Sequence, residues 1–241
     1  SGNTLPGSFF YVQSTRRSAF IDFETNILPV RTQDTINFHC QQCGRCCRHV
    51  KDSVMVTPLD AFRLVKFFNG KGRQYTDILE LYTQFCKPIV LTEEGYAIFV
   101  LKTKGPGDAC IFLEGNRCTV YGAHPYTCRL YPFTLEYGRN GRSFEYFLCT
   151  ELPHHWAGGR IHVGNWLRVH FTREDKEYIK AETAFIPMLG EAIRSLSEAR
   201  RDRLVSLMVY HLYSGYDLSQ PFMPQYQAHA KRLLYAIGAL P

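Results

Sequence analysis

Four cysteines stand within eight residues in the first quarter of the chain, in the order Cys40-Gln-Gln-Cys43-Gly-Arg-Cys46-Cys47. A Cys-x-x-Cys loop can turn two sulfurs toward one metal ion, and Gly44 supplies the conformational freedom that such a loop needs. A disulfide between the adjacent Cys46 and Cys47 would need a strained ring, because disulfides require well-separated α-carbons. The chain has 241 residues, enough to fold without disulfides, and its cysteine count of nine is odd. The sequence therefore predicts a metal site.

The choice of metal is less strongly indicated by the residues. Structural zinc takes four ligands, commonly as two Cys-x-x-Cys-like pairs, and a [4Fe–4S] cluster also takes four thiolates. Three closely spaced cysteines with two-residue gaps favour an iron–sulfur cluster by a small margin, and zinc stays open as the alternative. Basic residues flank the thiols and would offset thiolate charge and tune a cluster's potential. They are Arg45, Arg48, His49, Arg117 and Arg129.

The elements that must position these cysteines include helices on both sides of a strand-rich region. Thr57 and Pro58 form a helix start, and Asn69-Gly70 forms its end. A second helix is expected from Tyr75 to Phe85. From about residue 89 to 148 the pattern changes to strands, with two alternating runs around Asn140-Gly141 that predict a hairpin. Cys110 and Cys118 bracket a tight turn.

Beyond Cys149 the sequence is largely helical and has no cysteine. Helices are predicted from Thr172, from Ser197 through Leu212, and from about Gln225 to Ile237. We therefore expect an α+β fold, with a small antiparallel sheet around a cysteine-ligated metal centre, flanking helices and a helical C-terminal extension.

Composition and charge narrow the possible partners. The net charge of +6 is spread along the chain, with 17 basic against 13 acidic residues in 1–150. A short run at Arg200–Arg203 is interpreted as a solvated helix face, so nucleic acid is an unlikely partner. No apolar run is long enough to cross a bilayer, and residues 1–6 do not resemble a signal peptide. We expect a cytoplasmic location, and an unknown protein or peptide partner is possible. The oligomeric state is not indicated.

The motifs together resemble the CxxCxxCC zinc- or iron-chelating domain family, also called YkgJ-type cysteine-cluster proteins. Phe38 and the opening cysteine cluster are followed by Cys110, by Cys118-x-x-Tyr121 and by Pro125-x-x-Cys128-Arg129-x-Tyr131-Pro132-Phe133, and then by Cys149. The resemblance covers about residues 38–150. It divides the chain into an N-terminal extension (1–37), a cysteine-cluster domain (38–150) and a helical C-terminal region (151–241).

The resemblance implies that the shared cysteines ligate the metal. They are Cys40, Cys43, Cys46, Cys47, Cys110, Cys118, Cys128 and Cys149. Eight thiols exceed the need of one zinc ion or one [4Fe–4S] cluster, so two centres are possible, or some of the cysteines have another role. Cys86 lies outside the pattern and is interpreted as a buried, inert thiol. The cluster is also distantly similar to that of flagellin lysine N-methylase, which is understood to hold an iron–sulfur centre, and this admits enzymatic chemistry.

The sequence departs from the family pattern at two places. Four histidines are further candidate site residues. His124 replaces the arginine that usually precedes the proline of the third motif, and a surface or second-shell role is the simpler interpretation. Thr150-Glu151 follows the last cysteine where Pro-Gly is common, which makes Cys149 the least secure ligand. His154, His155, His162 and His170 could bind a second metal or act as acid and base, although such histidines are more often surface or core residues.

Three functions are therefore open from the sequence. The first is a [4Fe–4S] metal-binding module with a redox role. The second is an iron–sulfur enzyme that modifies a protein or peptide, including methyl transfer. The third is a zinc-stabilised interaction protein.

Overall fold

The computed structural model describes residues 26–91, 96–138, 143–197 and 203–238, and within them it confirms the α+β class. The helices are α1 (Pro58–Asn69), α2 (Ile78–Phe85), α3 (Tyr126–Leu130), α4 (Val163–His170), α5 (Arg173–Arg194), α6 (Leu204–Leu212) and α7 (Phe222–Gly238). Short 3-10 turns occupy Arg45–Cys47 and Pro153–Trp156. Most of the predicted N-terminal extension lies outside the described residues.

The strands are short and all of their pairings are antiparallel. They are β1 (Ile27–Val30), β2 (Thr35–Asn37), β3 (Cys86–Val90), β4 (Ala97–Leu101), β5 (Thr103–Lys104), β6 (Ala109–Cys110), β7 (Leu113–Glu114), β8 (Arg117–Cys118), β9 (Phe133–Tyr137), β10 (Phe144–Cys149) and β11 (Arg160–His162). One sheet has three strands in the order β1-β10-β9, and the rest form the pairs β2-β11, β3-β4, β5-β6 and β7-β8.

The predicted hairpin between residues 133 and 148 is confirmed by the pairing of β9 with β10, in which Tyr137 lies opposite Phe144. The Asn140-Gly141 turn lies outside the described residues. Likewise, the turn between Cys110 and Cys118 is confirmed as the β7-β8 hairpin, in which Glu114 lies opposite Arg117. The antiparallel structure is thus divided among several small sheets, because each strand run is only two to six residues long.

Contacts between α-carbons divide the chain into two compact units, each built from two separate segments. Unit 1 contains the described part of residues 1–41 together with residues 130–170, and unit 2 contains the described parts of 42–129 and 171–241. The functional domain boundaries inferred from the sequence stay a prediction, because compactness shows which segments pack together and not which segments act together.

The core of unit 1 is organised around one aromatic side chain. Phe38 is 2% exposed, and its ring makes edge-on contacts with Tyr131, His155, Trp156 and Trp166 at centroid distances of 5.4–6.3 Å. Edge-to-face packing of this kind adds to the stabilisation that comes from burial of apolar surface. Phe38 therefore anchors the segment that leads into the cysteine cluster.

The first two helices belong to unit 2, and each begins with a capping box. Helix α1 begins after Thr57 as predicted, with the Thr57 side chain accepting from the backbone of Asp60. Helix α2 begins at Ile78, so the predicted start at Tyr75 is wrong by three residues. The reason is Asp77, whose carboxylate accepts the backbone N–H of Leu79 at 2.8 Å and so caps the helix there.

Three of the C-terminal helices complete unit 2. Helix α5 begins after Thr172 as predicted, and helix α7 begins at Phe222, three residues before the predicted start. The intervening helix is predicted from Ser197, which is not helical in the structure, and α6 is described from Leu204. Residues 198–202, with most of the arginine run, lie outside the described residues. Among the described helices, none has the length and apolar character that crossing a membrane requires.

Candidate metal centre

The loop that carries Cys46 and Cys47 is held against the β7-β8 hairpin by a glycine. Gly44 has a φ of +69°, and a Cβ at this position would lie 3.0 Å from the carbonyl oxygen of Asn116 and 3.1 Å from Cδ1 of Leu113. A side chain would therefore meet both an unfavourable backbone conformation and a close backbone neighbour. Glycine at this position allows the cysteine loop to lie directly on the hairpin.

Hydrogen bonds continue this attachment along the chain. The backbone N–H of His49 donates to Gly107 O at 2.9 Å, and that of Val50 donates to Asp108 O at 3.1 Å. The Arg48 guanidinium donates to the carbonyl oxygen of Gly115 at 3.2 Å and to Oδ1 of Asn116 at 3.1 Å. The segment after Cys47 is thus tied to the segment that contains Cys110 and Cys118.

Four thiols of unit 2, which we call the thiol cluster, act on one another electrostatically: Cys47, Cys110, Cys118 and Cys128. Burial raises the pKa of Cys128 well above its ordinary value, and the three other thiols raise it further. Burial raises the pKa of Cys110 to about 11, with added contributions from Cys47 and Cys118. The pKa of Cys118 is raised by burial and by Cys47.

The raised pKa values show that the thiols of the cluster ionise only if positive charge is supplied nearby. Each thiolate makes the ionisation of its neighbours less favourable, and burial has the same effect. A bound metal centre supplies the positive charge that holds such thiols deprotonated. The donor set of four buried or half-buried sulfurs therefore fits a thiolate-ligated metal, and both a zinc ion held by four cysteines and a [4Fe–4S] cluster take such ligands.

Two further cysteines of unit 2 flank the thiol cluster. The sulfurs of Cys46 and Cys47 lie 3.9 Å apart, and Cys46 is exposed. This contact, followed by burial, raises the pKa of Cys47. Cys43 is half-buried at the start of the same loop.

Cys40 and Cys149 belong to unit 1 and are both half-buried. Cys149 ends β10, where it lies opposite Ile27 and its backbone N–H donates to the carbonyl oxygen of Pro132 at 2.8 Å. The convergence of all eight cysteines, and ligation by any one of them, stays a prediction.

Cys86 is 4% exposed at the start of β3. Burial raises its pKa, and Cys110 contributes to the rise. A thiol that remains protonated is a poor nucleophile and a poor ligand. Burial raises the pKa of Cys110 and Cys128 in the same direction, so the interpretation of Cys86 as an inert thiol stays a prediction.

The histidine candidates occupy varied surroundings. The Nδ1 atom of His124 accepts the backbone N–H of Gly122 at 3.1 Å, and its ring stacks on Tyr121. In unit 1, Nδ1 of His162 lies 3.4 Å from the backbone nitrogen of Asn165. The His170 ring lies on Trp166 with the centroids 4.1 Å apart. A ligand role for these histidines stays untested.

His155 is the most buried histidine among the described residues, at 1% exposed. Its Nδ1 atom lies 2.8 Å from the hydroxyl oxygen of Tyr131, and its ring lies 4.2 Å from that of His154. Burial lowers the pKa of His155, and His154 lowers it further. The sequence singles out this histidine but does not predict its pairing with Tyr131, because residues 24 positions apart give no local signal.

Comparison with known protein families supplies the wider context for these cysteines. Residues 39–149 match the family model "CxxCxxCC", described as "Putative zinc- or iron-chelating domain". The matched segment is a little under half of the chain. The resemblance drawn from the motifs is therefore confirmed, and metal chelation is the function that the family description supports.

One curated relative is similar to part of the chain. It is an uncharacterized protein of Methanocaldococcus jannaschii, 29% identical over 109 residues, which are 44% of this chain and 50% of that protein. The chain thus matches about half the length of this relative. No solved structure matches the chain.

Proposed function

We propose that this protein holds a [4Fe–4S] cluster on Cys47, Cys110, Cys118 and Cys128 and that it serves a redox role. The observation that carries the proposal is the attachment of the Cys46–Cys47 loop to the segment that contains Cys110 and Cys118, through Gly44, Arg48 and backbone hydrogen bonds. The raised pKa values of Cys110, Cys118 and Cys128 support the same grouping. Such a cluster supplies one-electron chemistry when it is bound.

The residues around the thiols have defined tasks in this proposal. Gly44 and Arg48 hold the Cys46–Cys47 loop against the β7-β8 hairpin. Burial limits the access of water to the cluster's ligands, and the exposed Cys46 marks the side from which a redox partner can approach. Four thiolate ligands leave no open position on the cluster, which favours electron transfer or redox sensing over direct substrate activation.

The remaining shared cysteines are Cys40, Cys43, Cys46 and Cys149. They match the family motif as the first four do, and the sequence leaves open whether the chain holds one centre or two. The number of metal ions per chain separates the two cases, with about four iron atoms for one cluster and about eight for two.

An enzyme that modifies a protein or peptide, including methyl transfer, is the second candidate function. It is favoured by the distant similarity of the cysteine motif to that of flagellin lysine N-methylase, and it requires a cluster with an open iron position. A zinc-stabilised interaction protein is the third, because the matched family description names zinc beside iron.

Anaerobic purification followed by iron, zinc and acid-labile sulfide analysis tests the proposal. We expect a brown protein with iron and sulfide in equal amounts and a visible absorption band that bleaches on addition of dithionite. A colourless protein with one zinc per chain would refute the cluster and support the zinc alternative. Binding of an added methyl-donor cofactor to the iron, detected by electron paramagnetic resonance, would favour the enzyme.

A further inference from the structure

Helices α1 and α5 begin with the same four-residue capping motif. The Thr57 hydroxyl donates to Oδ2 of Asp60 at 2.7 Å and accepts from the backbone N–H of Asp60 at 3.1 Å. Thr172 repeats both contacts with Asp175, at 2.7 and 3.2 Å. A capping box satisfies backbone N–H groups at a helix start, but it does not require the carboxylate to be buried. Asp60 and Asp175 are only 1% and 2% exposed.

Arg129 is a shared partner of these two carboxylates. Its guanidinium donates to both oxygens of Asp175, at 2.9 and 3.3 Å. The same group lies 4.0 Å from Oδ1 of Asp60. Its Nε donates to the carbonyl oxygen of His124 at 3.1 Å, which fixes the guanidinium relative to its own loop. Arg129 is therefore aligned by contacts on three sides.

Each carboxylate has a further partner of its own. The backbone N–H of Tyr126 donates to Oδ1 of Asp60 at 2.8 Å, so α3 is joined to the start of α1. The Arg63 guanidinium of α1 pairs with Asp175 and donates to Glu174 at 2.7 Å and to Thr172 at 3.1 Å. The starts of α1, α3 and α5 thus belong to one polar network within unit 2.

The network adjoins the thiol cluster directly. Arg129 follows Cys128 in sequence, and Asp60 is among the groups that act electrostatically on the Cys128 thiol. Asp175 lies beyond residues 39–149, the segment that matches the CxxCxxCC family. The carboxylate that makes a two-pronged contact with Arg129 therefore comes from a helix outside the matched domain.

The cost of losing this contact is large for physical reasons. Arg129 is 11% exposed, and a buried cation without its carboxylate is strongly unfavourable. A two-pronged arginine–carboxylate pair also fixes direction as well as distance. Displacement of α5 would remove the two-pronged contact of Arg129, which is one of the contacts that align the neighbour of Cys128. Loss of metal from Cys128 would in turn loosen the anchor of α5.

We propose that Arg129 is a positioning residue for the metal centre. Through Arg129, metal retention at Cys128 and the packing of α5 within unit 2 depend on each other. The inference rests on the proposed function, because it requires metal at Cys128. Such a dependence is reciprocal. Loss of the α5 contact should weaken metal retention, and loss of the metal should weaken the packing of α5, so the two effects can be measured separately.

The first test compares Asp175→Asn with Glu174→Gln as a matched control. Both variants remove one negative charge at the start of α5, but Glu174 contacts Arg63 and is 42% exposed. After anaerobic purification, the rate of iron release to an excess of chelator is followed by visible absorption. Asp175→Asn should release iron faster than the wild-type chain by about fivefold or more, and Glu174→Gln should stay within about twofold of it, if the lost coupling of about 1 kcal/mol or more is expressed in the release step. Equal rates in all three proteins would overturn the proposal.

The second test uses the wild-type chain and does not depend on the folding of a variant. Hydrogen exchange of amides 173–178 in α5 is compared before and after chelator removes the iron, with amides 230–236 of α7 as the internal control. Protection should fall further in α5 than in α7. An equal change in both helices would overturn the proposal. A wild-type chain that carries no metal would instead refute the proposed function.

An electron paramagnetic resonance spectrum of the reduced cluster separates positioning from general stability. The spectrum of Arg129→Lys, which keeps the charge but not the two-pronged contact, should differ from that of the wild-type chain. The spectrum of Glu174→Gln should not differ. Identical spectra for Arg129→Lys and the wild-type chain would contradict a positioning role.

Discussion

The two compact units carry their cysteines in different surroundings. In unit 2 the thiol cluster adjoins a network of buried carboxylates and arginines, including Asp60, Asp175 and Arg129. In unit 1, Cys149 ends a strand, and the buried polar contacts of that unit are made by rings such as His155 and Tyr131. Ion pairs between fixed charges restrict the orientation of a neighbouring ligand side chain more strictly than the packing of rings does. The difference supports the proposal that the metal ligands belong to unit 2.

Serine replacement of one cysteine in each unit is expected to give the largest contrast. Cys128→Ser should lose about four iron atoms per chain, because the cluster needs four thiolates. Cys149→Ser should keep at least those four. Iron and sulfide are measured after anaerobic purification and compared per mole of chain.

Cys110→Ser serves as a second variant of the thiol cluster, in case Cys128→Ser does not accumulate as folded protein. Full iron content in both Cys110→Ser and Cys128→Ser would contradict the assignment of the cluster to unit 2. So would a greater loss of iron in Cys149→Ser than in either of them.

A smaller effect is expected from Phe38→Ala, which removes the aromatic anchor of unit 1. Truncation of a buried phenylalanine costs about 3–5 kcal/mol of unfolding free energy, because a cavity replaces its contacts. The variant should unfold at lower urea concentration, as followed by tryptophan fluorescence, while the iron content under native conditions stays near that of the wild-type chain. Loss of iron without loss of stability would show that unit 1 contributes more to the metal centre than we propose.

The two units should also respond to pH in opposite directions. Burial raises the pKa of Glu182 in unit 2 to about 7, above its ordinary value, although Tyr178 donates to its carboxylate at 2.6 Å. Stability from a raised carboxyl pKa is present at low pH and is lost as pH rises toward 7. Burial lowers the pKa of His155, so its contribution is present at higher pH and is lost as pH falls below about 6.5.

Urea unfolding between pH 5 and 8 tests this contrast with Glu182→Gln and His155→Gln. The contribution of Glu182 is the unfolding free energy of the wild-type chain minus that of Glu182→Gln. This difference should fall by about 1–2 kcal/mol from pH 5 to pH 8. The fall is smaller than the full pKa shift implies, because the side chain is partly exposed. The same difference for His155→Gln should rise with pH. Slopes of the same sign for the two variants would contradict the assignment.

The smallest effect on the metal is expected from Cys86→Ala. Its thiol is buried, and Cys86 lies outside the cysteine pattern of the family that the sequence resembles. Iron content should stay equal to that of the wild-type chain, as measured by the same analysis. A loss of one quarter or more of the iron would show that Cys86 is a ligand and that the family pattern omits one.

The sequence predicted the features that depend on neighbouring residues. The Thr57 and Thr172 caps, the β9-β10 pairing and the turn between Cys110 and Cys118 all follow from local signals. Helix α2 was placed three residues too early because Asp77 was not recognised as its cap.

Features that join distant residues could not be predicted from the sequence. Arg129 was noted only as a cation near the thiols, and its contact with Asp175 spans 46 positions. The repeated Thr-x-x-Asp motif was the signal available for it. The grouping of the thiol cluster is of the same kind, because Cys47 acts on the pKa of Cys128 from a distant part of the sequence.

The most direct test of the central claim is iron-edge X-ray absorption of the anaerobically purified chain. We predict that sulfur atoms dominate the ligand shell of iron, that a second shell of neighbouring iron atoms is present, and that both signals fall in Cys128→Ser and persist in Cys149→Ser. Nitrogen or oxygen ligands with no neighbouring iron, or a chain that contains only zinc, would contradict a thiolate-held cluster in unit 2.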